Sequence, residues 1–445
     1  GMTLAERMTT QIRGLNVASR NANDAIALAQ TAEAAMGSVA SALQRIRELA
    51  VQSANASYSD TDRSTMNREA RELIEEVKRV STNTAFNGVN LLDGSFKNQQ
   101  FQIGANSGQT LNLPSLADAR VTSLGRSAVA LDGTSAGSVL GNAVAAAAAV
   151  PTNGVTAVTN LTFTNPEGTS SPISWSNNDS AKSVAAAINL KANSLGITAT
   201  ATNSATIGNF STTGSTALTI NGTTVSASLT STSDLTPLAD AINGAATGVT
   251  AVFAAPPAKD KLLLTAADGS DIGIGDFSNG TMTVTGSKSG ATPVTLTSGG
   301  TADSTVVSGT LEIVSTKGAL SWANGNATVF GASTSGIAGL NTISTVDLGS
   351  MTGAVSAIKV VDAALNQLSS ARGTLGAVQS RLEMLIANVD VVSENITTAR
   401  GRLVDADFAK ETAALARVQI LQQAGTAMLA QANAIPQQVL QLLKG

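Results

Sequence analysis

The sequence predicts a multidomain α + β protein, with coiled-coil helices from both termini forming a bundle and β-rich outer domains inserted between them. Three observations predict it. Apolar residues recur about every 3.5 positions at both ends of the chain, a coiled-coil period. Charge concentrates in those ends: residues 1–130 hold 13 Lys/Arg and 12 Asp/Glu and residues 351–445 hold 8 and 7, against 6 and 12 in residues 131–350. No arginine occurs between Arg126 and Arg372, a stretch rich in Gly, Ser, Thr and Asn. Arginine and glutamate favour helices, whereas Gly, Thr and Asn do not.

From Met8, steps of four and three residues reach Ile12, Leu15, Ser19, Ala22, Ile26, Ala29, Glu33, Met36, Ala40, Leu43, Arg47 and Ala50. Such spacing keeps one seam of a helix turned toward a partner. No proline precedes Pro114, so the spacing predicts a helix from about Leu4 to Asn55. At 1.5 Å per residue it is roughly 80 Å long, more than an ordinary globular helix. Ser57-Tyr58-Ser59-Asp60 reads as a turn, with Ser59 or Asp60 as the N-cap of a second helix. That helix carries Met66, Ala70, Leu73, Val77 and Val80 on one face, and its outer charges read as a solvated face of i,i+4 pairs. After Phe86-Asn87-Gly88, alternation in Gln100–Gly104 and Gln109–Leu113 predicts short strands. Residues 1–130 thus read as N-terminal helices plus a β-hairpin.

Residues 131–350 contain a weak internal repeat. Leu161-Thr162-Phe163, Ala185 to Asn189 and Gly196 to Ala199 are matched by Leu218-Thr219-Ile220, Ala239 to Asn243 and Gly248 to Ala251. Each unit, about 156–210 and 211–280, reads as a strand or hairpin, a short helix and a strand. Asp179 or Ser180, and Asp234, are expected to cap the short helices. Further strands are expected in 281–345, at Thr281–Thr285, Val294–Thr297 and Thr305–Val314, after one at Lys261–Thr265. Trp175 and Trp322 either fill small cores or serve as stacking platforms for a polysaccharide. Asp268-Gly269-Ser270-Asp271 through Asp276 offers oxygen ligands at close spacing, but it lacks the terminal Glu of a calcium loop and reads as a turn.

The C-terminal zone mirrors the first. From Val361 the steps give Leu365, Leu368, Arg372, Leu375, Gln379, Leu382, Ile386, Val389, Ser393 and Ile396, a seam able to pair with the first. Asp405-Ala406-Asp407-Phe408 reads as a helix start and separates a coiled-coil helix, 351–402, from a last helix, 403–445. Between Leu415 and Leu443 the only charge is Arg417. Ile420, Leu421, Met428, Leu429, Val439, Leu440 and Leu443 are too apolar to be left in water and are expected to be buried against another chain or segment.

The 445 residues include no His and no Cys. That excludes Ser-His-Asp triads, thiol nucleophiles, histidine–zinc sites and Cys-ligated clusters, as well as disulfides. No phosphate-binding loop or dinucleotide fingerprint is present. The carboxylate pairs Glu383/Asp390 and Asp405/Asp407 fall on helix faces or at a cap, with nothing to raise a pKa. No catalytic residue, metal ligand or cofactor is assigned. The net charge of −4 counts against nucleic acid. No apolar run reaches the ~18 residues of a membrane span, and the first residues do not read as a signal peptide. The leading Gly1-Met2 reads as a cloning remnant.

Several stretches resemble bacterial flagellin, the subunit of the flagellar filament. They are Ile12-Arg13-Gly14-Leu15-Asn16 to Asp24, Leu43-Gln44-Arg45-Ile46-Arg47-Glu48-Leu49 to Asn55, Phe86-Asn87-Gly88, Ser380 to Asn395, Asp405 to Ala409, and Gln437 to Leu443. The pairs Ile188-Asn189 and Ile242-Asn243 resemble the flagellin IN motif. The resemblance implies an antiparallel coiled coil that assembles into an extracellular homopolymer for motility, with 403–445 as the C-terminal inner-core helix. It implies partners in the export apparatus, an export chaperone and the cap protein. It also implies recognition by a Toll-like receptor through Leu43, Gln44, Arg45, Glu48, Leu49, Gln52 and Glu69, with Arg45 and Leu49 sharing a helix face. The family carries a further helical segment before the equivalent of Leu4. Without it, the C-terminal helix is expected to be disordered or held by another molecule, and this chain is not expected to polymerise. The alternative function is a cell-surface adhesin whose central domains bind polysaccharide.

Overall fold

The computed structural model describes residues 2–445. Helix α1 (Met2–Ser53) is followed by α2 (Asp60–Asn83). Two hairpins come next: β1 (Ala85–Phe86) with β2 (Val89–Asn90), and β3 (Gln99–Gln102) with β4 (Thr110–Leu113). The central region opens with β5 (Gly125–Leu131), β6 (Val158–Asn165), β7 (Gly168–Thr169), β8 (Ile173–Trp175), α3 (Ala181–Ala192) and β9 (Ile197–Gly208). It continues with β10 (Gly214–Ile220), β11 (Thr223–Leu229), α4 (Thr236–Gly244), β12 (Thr250–Phe253), β13 (Lys261–Ala266) and β14 (Ile272–Gly275). Then come β15 (Thr281–Gly286), β16 (Val294–Thr297), β17 (Thr305–Val307), β18 (Thr310–Ser315), β19 (Ser321–Ala323), α5 (Ala327–Phe330), β20 (Gly336–Ile337) and β21 (Gly339–Thr342). Helix α6 (Met351–Leu442) closes the chain.

The chain divides into two compact units. One comprises Gly1–Gly37, Ser81–Ala117 and Ser370–Gly445; the other comprises Ser38–Val80 and Asp118–Ser369.

In the first unit α1 and α6 run antiparallel. Thr9 meets Arg400 (3.2 Å), Asn16 meets Ser393 (3.4 Å) and Ser19 meets Asp390 (3.3 Å), one residue down α6 for each residue up α1. Glu33 lies 3.7 Å from Arg372 and accepts from Gln379 at 3.1 Å. The polar members of the two heptad seams therefore find each other, while Ala22, Ala25 and Leu382 close over Leu111 of the β3–β4 hairpin. Gly14 packs against Ala105, where an added Cβ would sit 2.9 Å from the alanine methyl.

The expected helix start at Asp405–Phe408 is corrected: α6 runs through it without a break. The flanking residues, from Leu403 to Leu415, include no Gly or Pro. Exposed aspartates cost a helix interior only a few tenths of a kcal/mol each. The C-terminal stretch is helical to Leu442 rather than disordered, but its side chains stay exposed instead of packing on the chain's own bundle, so the other half of that expectation, a hold by another molecule, stands open.

In the second unit every strand pair is antiparallel. One sheet follows the order β12-β13-β9-β18-β5-β21 with β15 and β16 joined to β9; another runs β11-β10-β14-β17; a third runs β20-β19-β6-β7 with β8 on β6. Two cores result. The first gathers Leu161, Phe163, Trp175, Val184, Ile188, Ile197 and Ile313. The second gathers Ile207, Leu218, Leu238, Ile242, Leu264, Ile274 and Phe277. The single strand expected over Thr305–Val314 is two, because Ser308-Gly309 passes the chain from one sheet to another. An added Cβ at Gly309 would lie 2.8 Å from the Thr202 carbonyl.

The two repeats share one device. Ile188 and Ile242 are fully buried, each in its own core. Beside them Asn189 donates to the Ala199 carbonyl (2.8 Å) and accepts the Ala199 N–H (2.7 Å). Asn243 does the same with Ala251, at 2.9 and 2.8 Å. A short helix is thus clamped to the strand that follows it by a side-chain amide that mimics a backbone pair. Ser180 caps α3 by accepting the Ser183 N–H, and Asp234 accepts the Thr236 N–H at the start of α4.

Candidate functional site

Two surfaces stand out, one in each unit. The first is a patch on the C-terminal part of α1 beside α2. Arg45 donates from Nε to Glu69 (2.8 Å) and from Nη1 to Glu48 (3.0 Å). The paired carboxylates hold its guanidinium above the ordinary range, the Glu69 hydrogen bond first. All three side chains are solvent-exposed, so these pairs fix geometry more than they add stability. Gln44 is exposed, and Gln52 donates to the Tyr58 hydroxyl at 2.9 Å.

Leu43 and Leu49 are a correction. They are 0% and 2% exposed and belong to the core. Arg45 and Leu49 lie one turn apart, but the inward tilt of that face buries the leucine and leaves the arginine in water. Of the seven residues named for that face, Gln44, Arg45, Glu48, Gln52 and Glu69 lie at the surface.

The turn that supports this patch is expected from the sequence, with Ser59 as a candidate cap, but Asp62 and Arg63 are not singled out there. Ser59 and Asp62 form a reciprocal cap: the Ser59 Oγ accepts the Asp62 N–H (3.2 Å), and Asp62 accepts the Ser59 N–H (3.0 Å). The Ser59 hydroxyl holds the Asp62 carboxyl below its ordinary range. Arg63, 6% exposed, donates to the carbonyls of Asn55 (3.1 Å) and Tyr58 (3.0 Å) and so closes the end of α1. The Ser-x-x-Asp spacing was the signal that could have added Asp62 to the cap.

The second surface is α6 beyond Leu403. Ile420, Leu421, Met428 and Leu429 are 63–70% exposed, and Val439, Leu440 and Leu443 are 52–79% exposed. Near its beginning a groove of about 590 Å³ is lined by Met2, Ala5, Leu403, Val404, Phe408 and neighbours.

Trp175 is buried and Trp322 half-buried. Trp175 is 6% exposed and donates to the Thr156 carbonyl at 3.0 Å. Trp322 stacks on Phe330 with centroids 5.5 Å apart, and Gly336 is pressed against its ring. Asp268 is paired with Lys182 at 2.7 Å and accepts the Ser270 N–H. It belongs to a turn, and among the described residues no group of three acidic or histidine side chains converges on a metal position.

Comparison with known proteins gives three matches to family patterns. The bacterial flagellin N-terminal helical region matches residues 1–97, the bacterial flagellin C-terminal helical region matches 358–443, and the flagellin hook IN motif matches 217–268. The chain is 38% identical to B-type flagellin of Pseudomonas aeruginosa, over 100% of this chain and 91% of that protein. It is 33% identical to flagellin of Salmonella rubislaw (100% and 91%) and 30% identical to Flagellin B of Vibrio cholerae (100% and 88%). FliC from Burkholderia pseudomallei is a looser likeness, with 20% identity over 80% of this chain and 99% of that one and a TM-score of 0.32.

Proposed function

This chain belongs to the bacterial flagellin family and is a structural subunit of the extracellular flagellar filament; from that premise we propose that α6 beyond Leu403 is the segment through which subunits associate. The observation that carries this reading is the row of apolar side chains left in water from Ile420 to Leu443. Burying one such side chain is worth about 1.5–3 kcal/mol, so a partner surface is strongly favoured. Head-to-tail contacts of one patch with another generate open helical polymers. Introduced into the subunit as it assembles in the cell, with the family's further N-terminal helical segment, Leu421→Asp combined with Leu429→Asp is expected to abolish filaments in negative-stain electron microscopy. Filaments of undiminished number and length would sink the reading.

Finer partners follow from the same premise. The export apparatus, an export chaperone and the cap protein are expected to engage the chain before and during assembly. A Toll-like receptor is expected to read Gln44, Arg45, Glu48, Gln52 and Glu69, with Leu43 and Leu49 holding that face from beneath. Arg45→Ala should reduce receptor signalling while leaving the melting temperature unchanged; full signalling by that variant would remove Arg45 from the surface.

In this reading the chain divides into 1–130, 131–350, 351–402 and 403–445. The start of α6 at Met351 supports the third boundary. The identical asparagine clamp supports treating the 156–210 segment as a second IN unit. A polysaccharide-binding role gains no support from Trp175, which is buried, or from Trp322, which stacks on Phe330.

A further inference from the structure

The seam between the two lobes of the central unit holds polar atoms for which filament assembly gives no reason. Strand β9 runs unbroken through both lobes: residues 197–202 pair with β18, and residues 203–208 pair with β13. Asn203 stands at that changeover, 1% exposed. Its Nδ2 donates to the carbonyls of Ser270 (2.9 Å) and Val307 (2.7 Å), but its buried Oδ1 accepts from no group. Asp271 follows Ser270. Its Oδ2 accepts from Asn153 at 2.8 Å, while its Oδ1 is likewise buried without a donor. Asn153, 2% exposed, also turns Nδ2 toward the carbonyls of Asn178 and Asp179, which lead into α3. Asp271 itself leads into β14. One carboxylate therefore joins the α3 end of the first lobe to the β14 sheet of the second.

The balance of donors and acceptors here is one-sided. The carbonyls of Asn178, Asp179, Ser270 and Val307 and the Asp271 Oδ2 each accept from the amide of Asn153 or Asn203, which leaves the Asn203 Oδ1 and the Asp271 Oδ1 as the two acceptors without a donor. A buried acceptor without a donor keeps its full desolvation penalty. The surrounding charges do not supply the missing hydrogen. Lys182 on α3 is committed to Asp268. Asp179 is a further carboxylate and accepts the Ser176 N–H. Asp303, ahead of β17, accepts from the Ser304 hydroxyl. Strands β9, β14 and β17 carry no ionisable side chain.

We propose that Asp271 is an acid-operated latch: proton uptake there supplies the hydrogen the seam lacks and secures the two lobes of the outer insert to each other. Burial disfavours the carboxylate and pushes the Asp271 carboxyl up, against the opposing Asn153 hydrogen bond. The sign follows. With the folded group titrating above the unfolded one, the ionised seam costs stability at higher pH, and that cost disappears as pH falls through the folded value. The carboxyls of Asp132 and Asp234, held below their ordinary range by Thr134 and Thr236, act in the opposite sense. A difference between wild type and one variant removes them.

The chain has two Trp, both in the central insert, so tryptophan fluorescence follows that unit's melting in the intact chain. Asp271→Asn removes the charge and keeps the shape. At about pH 7.5 it is expected to melt roughly 2–4 °C above wild type, and the gap is expected to close by about pH 4. A gap independent of pH, or a variant that melts lower throughout, overturns the proposal. The carboxyl carbon resonance of Asp271 in the wild-type chain gives a second reading that needs no variant. It should titrate above the ~3.9 of an unperturbed aspartate, and a midpoint at or below that value overturns the latch. Calcium that raises the wild-type midpoint at neutral pH, but not the variant's, would put a metal ion in place of the proton and overturn it as well.

Discussion

In the central unit Ile188 and Ile242 are 0% exposed; in α6 Ile420 and Leu421 stand 64% and 63% exposed. Side chains of the same kind are treated in opposite ways. The insert folds each short helix onto its own sheet and closes two cores, so its apolar residues are satisfied within one chain. The C-terminal stretch of α6 stays helical, with Pro436 inside it, and no described element of its own unit covers it along most of its length. The difference separates what the subunit needs to be folded from what it needs to be joined. On the proposed reading, the apolar residues that α6 leaves in water are the ones other subunits would cover, while the insert has closed its own cores.

Core truncation tests this contrast most strongly. Ile188→Ala or Ile242→Ala is expected to cost about 2–5 kcal/mol in the unfolding of the central unit, measured by denaturant titration followed by tryptophan fluorescence. Ile420→Ala should leave the same transition unmoved. Comparable losses from Ile420→Ala would break the comparison. The asparagine clamps sharpen it at the next level. Asn189→Ala and Asn243→Ala each strand one backbone N–H and one C=O, and each is expected to cost about 1–3 kcal/mol. Near-equal losses would support equivalence of the two repeats, whereas a loss from only one would show that the other amide is incidental. The smallest effect belongs to the exposed pair Arg47–Asp362, where Arg47 lies 2.5 Å from the carboxylate. Arg47→Ala is expected to leave the melting temperature unchanged within error at physiological salt, since exposed pairs are screened.

Much of the helical architecture was legible because a coiled coil repeats its instruction. Ser19, Glu33 and Arg47 interrupt the apolar seam of α1 at even intervals, and each meets a polar partner on α6: Asp390, Arg372 with Gln379, and Asp362. The short helices and most strands of the insert were legible from alternation and caps. The strand pairing was not. Strand β5 lies between β18 and β21, partners far along the chain that no local pattern names. The candidate surfaces were legible in part. The seven apolar residues from Ile420 to Leu443 stand out in composition alone, but the burial of Leu49 one turn from exposed Arg45 depends on which way α1 is turned against its neighbours.

The sequence by itself determined the division of labour: heptads at both ends, a β-rich centre of low charge, and no His or Cys for catalysis or cross-linking. It could do so because period and composition are local properties. Only the tertiary structure decided that α6 passes through Asp405–Phe408 without a break, that Trp175 is buried and Trp322 stacks on Phe330, and that β9 is shared by two lobes with Asn203 buried and Asp271 half-buried at their seam. Those features depend on which distant residues arrive at the same place, and burial of a polar oxygen acquires its cost only once water has been excluded from around it.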